Sequence, residues 1–263
     1  MNSKIFSFLT ATLILLIAAC SERTTTLHRV YDHGGIIRTD TTQKIITLVF
    51  TGGDYADGGR AILETLNSYG IKGAFFFTGD FYRNPDYSKL IRDLKQDEHY
   101  LGAHSDRHLL YCDWSKRGST LVTQTEFRED VESNYAEMAR FGIRKQDAPW
   151  FLPAFEWYND TISAWTNELG LTLVNFSPGT YSNADYTTPD MGKRYLDSET
   201  IFQRILDYEA QHGLNGFLLL THIGTDPRRT DKFYHQLDKL IVELHNRGYR
   251  FVSLPEALGN VHH

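Results

Sequence analysis

Two histidines four residues apart are where chemistry is first legible in this chain. They are His104 and His108, in the run Gly102-Ala103-His104-Ser105-Asp106-Arg107-His108. In a helical turn, residues i and i+4 share a face, so both imidazoles would reach one divalent ion. Neutral imidazole suits zinc and its neighbours. The pair alone is a weak signal among 11 histidines, and unrelated surface histidines are the competing reading. It gains weight because chemistry-bearing side chains recur after other apolar runs. Asp54 and Asp57 follow the first run, Pro153 and Glu156 a later one, Asn175 and Asp185 the next, and His222 the last. One carboxylate with two imidazoles is a three-ligand set that leaves a position open for water or substrate. A third histidine across the ion can protonate a leaving group.

The elements that must gather these residues alternate regularly. Apolar segments over 44–50, 73–78, 99–103, 150–153, 171–176, 216–221 and 249–253 are expected strands. Amphipathic stretches over 61–69, 87–95, 125–141, 161–169, 198–211 and 230–247 are expected helices, several stopped by glycine, with Thr125 as a cap. Strands alternating with helices imply a parallel sheet. Seven strands suit a barrel one unit short of the eight-stranded form, or an open doubly wound sheet. In both, chemistry sits at the C-terminal strand ends. Thr51-Gly52-Gly53-Asp54 lacks the glycine spacing of a dinucleotide site, which sets nucleotide binding aside.

The flanks of the chain constrain its setting. Residues 1–20 carry Lys4, an apolar run and Ala18-Ala19-Cys20. The run has the length of a signal-peptide core, and small residues before a cysteine look like a lipoprotein processing site. The expectation is a signal peptide over 1–20 with lipidation of Cys20, a tether and irregular lead-in over 21–43, and a catalytic domain over 44–263. That places the protein in the cell envelope, lipid-anchored at the outer membrane. Cys112 then has no partner cysteine for a disulfide. A net charge of -6 with mixed signs argues against nucleic acid as the main partner. Aromatic residues make up 13% of the chain, and several fall in expected loops, where rings stack on sugar faces.

With these motifs assembled, the chain over 44–258 resembles the polysaccharide deacetylases with the NodB homology domain, carbohydrate esterase family 4. The strongest likeness is His104-Ser105-x-x-His108, similar to the family's His-Ser/Thr-x-x-His metal motif. Leu219-Leu220-Thr221-His222 resembles the Leu-x-His motif that carries the catalytic acid. Gly102 to Trp114, Glu156-Trp157-Tyr158-Asn159 and His222-Ile223-Gly224-Thr225-Asp226 look like a lipoprotein branch found in gut Bacteroidetes. The resemblance implies a distorted seven-stranded (β/α) barrel and metal-dependent removal of N- or O-acetyl groups from an acetylated glycan. It implies a divalent metal, zinc by default, on Asp54, His104 and His108, with Asp57 the alternative to Asp54. It implies His222 as the acid, supported by Asp185, with Asp190 nearby. Pro153, Phe155, Trp157, Tyr158 and Tyr181 would line the sugar cleft.

Two departures from the family pattern bear on activity. Where the family has Thr-Phe-Asp-Asp-Gly, with a base and a metal ligand, this chain has Phe50-Thr51-Gly52-Gly53-Asp54. With a short insertion, Asp54 takes the metal position and Gly53 replaces the base; without one, Thr51 and Gly52 replace both. Phe151-Leu152-Pro153-Ala154-Phe155 also lacks the arginine that orients the base in the family. Either the site is inactive or another group is the base, for which Glu156, flanked by Phe155 and Trp157, is the candidate. The chain is thus open to three readings: a metal-dependent glycan deacetylase, an inactive glycan-binding lipoprotein, and a hydrolase of another small acylated amine.

Overall fold

The computed structural model describes residues 28–259. The expected signal peptide, Cys20 and the start of the tether lie outside the described residues. Among these residues no helix is long and apolar enough to cross a membrane.

The strands are β1 (Val30–Asp32), β2 (Gly35–Arg38), β3 (Ile45–Gly52), β4 (Ala74–Phe77), β5 (Tyr100–Ala103), β6 (Trp150–Phe151), β7 (Thr172–Leu173), β8 (Phe217–His222) and β9 (Arg250–Phe251). The helices are α1 (Gly59–Ser68), α2 (Gly79–Arg83), α3 (Ser88–Gln96), α4 (Gln124–Ala139), α5 (Asp160–Glu168), α6 (Ser198–His212), α7 (Leu237–Asn246) and α8 (Leu254–Leu258). Strands β3 to β9 are the seven expected from the sequence, and all their pairings with one another are parallel. They form a distorted (β/α) barrel, in order β8-β3-β4-β5-β6-β7, with β9 beside the start of β3. β3 and β4 are buried along their whole length, as central parallel strands under helices must be.

The lead-in differs from expectation. From Val30 it forms the antiparallel hairpin β1–β2. β2 pairs with β8 through Arg38 and Phe217, and Ile36 bridges Val174 just past β7. The gap that seven strands leave in the barrel is therefore filled by residues expected to be irregular. The expected long helix over 230–247 is shorter: a 3-10 turn, Phe233–Gln236, precedes α7. The α4 helix begins earlier than its expected Thr125 cap. Thr123 and Glu126 bond reciprocally in a capping box, which fixes the start at Gln124.

Candidate active site

The C-terminal strand ends open into a cleft of about 1520 Å³. That exceeds the roughly 300–1,000 Å³ of a small-molecule pocket and leaves room for an extended ligand. His104 follows β5 directly and is buried. Its backbone N–H donates to Phe77 O and to Asn134 Oδ1 of α4. Its Nδ1 lies 2.9 Å from the carbonyl of Leu152. A carbonyl only accepts, so Nδ1 carries the proton and Nε2 keeps its lone pair.

His108 reaches the same place without the helical turn expected from the spacing. Ser105 (φ 72°) and His108 (φ 55°) take left-handed conformations, and the segment is a tight loop. Ser105 Oγ accepts from the Leu109 N–H. The Asp130 carboxylate of α4 accepts from the N–H groups of Asp106 and Arg107 and from the Tyr111 hydroxyl. The two imidazole centroids end 5.2 Å apart. Burial pushes the His104 pKa well below its ordinary value and that of His108 down to about 4, so both rings are neutral at pH 7.

Glu156 sits on a second strained turn, where Phe155 (φ 60°) and Glu156 (φ 52°) are both left-handed. Of the seven non-glycine residues with positive φ among the described residues, four lie in these two turns. Strain of this kind costs about 1–3 kcal/mol per residue and persists where the surroundings enforce it. Here Asn175 Nδ2 donates to Glu156 O at 2.8 Å, and Glu156 N donates to Pro153 O. Glu156 Oε1 lies 3.7 Å from His104 Nε2. Burial pushes the Glu156 carboxyl up to about 7, against the opposing pull of His222.

His222 ends β8. Its Nδ1 donates to Asp185 Oδ1 at 2.6 Å, and its backbone N–H donates to Asp185 Oδ2 at 2.9 Å. Burial pushes the His222 imidazole pKa down, but the Asp185 carboxylate outweighs it and the net shift is upward. Asp190 is exposed and paired with Arg228, which leaves Asp185 as the carboxylate that holds His222.

The structure separates the other expected site residues. Asp54 lines the cleft. Asp57 instead accepts from the Thr225 N–H and the Tyr234 hydroxyl and pairs with Lys232 at 2.9 Å. Among the described residues no three His, Cys, Asp or Glu side chains come together as the ligands of one ion would. Both imidazoles are neutral, as ligands must be, and the His104 tautomer leaves Nε2 free for an ion, while Asp54 shares their cleft without completing a three-donor set. Phe155 and Trp157 line the cleft, and Trp114 stacks on Trp157 with centroids 5.4 Å apart. Tyr158 does not reach the cleft: it is fully buried, with its hydroxyl on Asp32 O. Pro153 is buried too. Tyr181 is exposed, but its ring lies against Arg204 rather than in the cleft.

Four polar residues of the site have no role that the sequence alone assigns. Asp130 and Asn134 sit among Phe127, Val131, Tyr135 and Met138 on the buried face of α4. Polar residues spaced i, i+4 on an otherwise apolar face are a signal of that kind. Thr51 and Asn175 line the cleft, and each has a buried side-chain oxygen without a hydrogen-bond partner. β3 runs in unbroken register with β4 and β8 to its end. A Cβ on Gly52 would lie 2.7 Å from Ile223 Cγ2, so packing leaves no room for a carboxylate there.

A family model described as polysaccharide deacetylase matches residues 38–174. A peptidoglycan-N-acetylglucosamine deacetylase of Bacillus cereus is 24% identical, over 84% of this chain and 91% of its own length. A chitin deacetylase of Arthroderma benhamiae is 26% identical, over 86% of this chain; the match spans 55% of that protein. Among solved structures, a family 4 carbohydrate esterase pseudoenzyme from Bacillus anthracis superposes with a TM-score of 0.65 at 17% identity, over 88% of this chain and 70% of that one. The last likeness is one of fold.

Proposed function

The chain belongs to the polysaccharide deacetylase family, and from that premise we propose that it is a hydrolase that removes acetyl groups from an acetylated polysaccharide or oligosaccharide. The observation that carries this reading is the pairing of opposed proton carriers in one cleft. Glu156, raised to about 7 by burial, can take a proton near neutral pH; His222, raised by Asp185, can give one.

In the proposed reaction the Glu156 carboxylate takes the proton of the attacking water. His222 gives its Nε2 proton to the departing amine or alcohol. Asp185 holds Nδ1–H and so keeps Nε2 directed at the leaving group. When bound, a divalent ion would supply Lewis acidity toward the acetyl carbonyl. His104 and His108 are the residues that would hold it, with Asp54 in the same cleft but not converged on them, and zinc suits imidazole donors. Phe155, Trp157 and Trp114 would flank the sugar chain. We propose also that Cys20 is lipidated and anchors the protein at the cell envelope.

A second reading is an inactive glycan-binding protein. Its support is the site of the missing acids: Thr51 and Gly52 close β3 where the family motif carries two aspartates. A pseudoenzyme of the same fold gives it precedent.

Metal content and acetate release, measured together on the full chain, test the reading. The substrates are acetylated chito- and xylo-oligosaccharides, before and after chelation. Stoichiometric metal and chelator-sensitive acetate release are expected. Glu156→Gln should then cut turnover by at least about 100-fold, the usual scale of a lost general base. His104→Ala should abolish metal uptake. Metal and glycan binding without acetate release would favour the inactive reading.

A further inference from the structure

Arg229 is a cation, and it is fully buried. It lies in the loop after β8 and reaches both ends of a strap that walls the cleft. The strap leaves the 3-10 turn Ser182–Tyr186, which carries Asp185, runs through 187–196 and enters α6 at Ser198. On the way it puts Thr188, Met191 and Arg194 into the cleft. Arg229 Nη1 donates to Thr187 O at 2.8 Å and to Leu196 O at 2.9 Å, and Nη2 donates to Ser198 Oγ at 3.3 Å. Thr187 is in turn tied to the turn that carries Asp185: its N–H and its hydroxyl both donate to Ala184 O. Asp185 accepts from the ring and the backbone N–H of His222.

Taking a guanidinium out of water is costly unless it is paired, and an apolar side chain can often replace it without loss. Among the described residues the salt-bridge partner of Arg229 is Asp231, at 3.7 Å, and its Nε is buried without a hydrogen-bond partner. The place therefore uses what only this side chain has, a planar fork of donors that spans two carbonyls and a hydroxyl at once. Its charge does not serve the acid, since a cation near His222 opposes protonation of the imidazole. Its geometry does.

We propose that Arg229 is a positioning residue for the acid: by closing the neck of the 187–196 strap it holds Asp185 on His222. The inference rests on the deacetylase reading for its effect on turnover, and deepens it. The positioning itself is readable without turnover.

Hydrogen exchange on the full chain, followed by NMR, reads it directly, because the His222 N–H donates to Asp185. Leu220, buried inside β8, is the internal reference for overall stability. Arg229→Lys keeps the charge and loses the fork. In it, His222 exchange should accelerate at least about tenfold more than Leu220 exchange. Thr187→Val unties the same neck without touching a charge, and decides the matter if the arginine variant does not fold. Arg228→Ala cuts the exposed tie to Asp190, in the middle of the strap, and should leave His222 as it is. Equal acceleration of His222 and Leu220 in the neck variants would make Arg229 a stability residue alone and overturn the proposal. So would the same response to Arg228→Ala. Turnover gives a second readout. Arg229→Lys should lower kcat on N-acetylchitotriose at least about tenfold with KM unchanged, and spare p-nitrophenyl acetate, whose leaving group needs no acid. Equal loss on both substrates overturns the proposal. If the unmodified chain releases no acetate, the hydrolase reading fails alone, and the exchange ratio still decides what holds Asp185.

Discussion

Asp185 fixes His222 by two hydrogen bonds, one to the ring and one to the backbone, so a single carboxylate sets both the position and the charge of the imidazole. The folded pKa of His222 lies above its ordinary value, with burial opposing and Asp185 prevailing. The stability this contributes is complete below the ordinary imidazole value and is lost as pH rises through the folded one. Asp185→Asn removes the charge and keeps most of the shape. We expect the His222 titration, followed by NMR, to move down in pH in this variant. The stability deficit of the variant in urea should be larger at pH 6 than at pH 9. An unshifted His222 titration would mean that Asp185 only positions the ring. His222, His104 and Glu156 are legible in the sequence because each stands at or within a few residues of the end of an apolar strand, and a parallel sheet brings its C-terminal strand ends to one face. Tyr158 misleads for a physical reason: an aromatic ring beside a site serves the core as readily as the cleft, and here its hydroxyl closes on Asp32 O.

The α4 helix shows what an element contributes beyond its place in the barrel. Its buried face commits two positions, Asp130 and Asn134, to the backbone of the loop that carries His104 and His108. Asp130 serves three donors, two of them backbone N–H groups, next to two residues of positive φ. The helix therefore does what the expected helical turn at the histidines would have done, from outside the segment. The spacing of His104 and His108 is visible in the sequence, but nothing local marks a left-handed loop, since neither Ser105 nor His108 is a residue that favours positive φ as glycine does. Asp130→Ala leaves three donors unpaired, two of them buried, which should lower stability in urea by about 1–3 kcal/mol or more. Its metal affinity should fall further than that of a cavity variant on the same helix face, such as Val131→Ala. Unchanged metal affinity in Asp130→Ala would show that the loop holds its shape without α4.

At the scale of the whole molecule, seven parallel strands do not close a barrel, and the chain closes it with the segment that leads in. From sequence alone the domain starts at Lys44, because 30–38 is short, polar at its turn and lacks a long apolar run. The role of that segment depends on edges that exist only in the folded sheet: β8 offers one to Arg38, and the residue past β7 offers another to Ile36. No local pattern encodes that demand. The hairpin is also tied sideways, with Asp32 paired to Arg117 at 2.7 Å and Arg38 donating to the carbonyls of Gly213 and Asn215. Its reach extends to the cleft, where Tyr31, Asp32 and Ile37 join Asn175 in the wall. Unpaired strand edges are templates for association. A chain begun at His28 should therefore keep the oligomeric state and thermal midpoint of the full chain, whereas one begun at Lys44 exposes the edges of β7 and β8 and should aggregate or melt several degrees lower. A single substitution separates closure from mere length. Ile36→Pro in the chain begun at His28 keeps the length of the hairpin but places a proline where β2 packs between the two edges. If the proline variant behaves like the Lys44 truncation, closure is what the segment supplies. If it behaves like the unmodified chain, the side chains around Arg38 and Asp32 suffice, and the barrel tolerates an open seam.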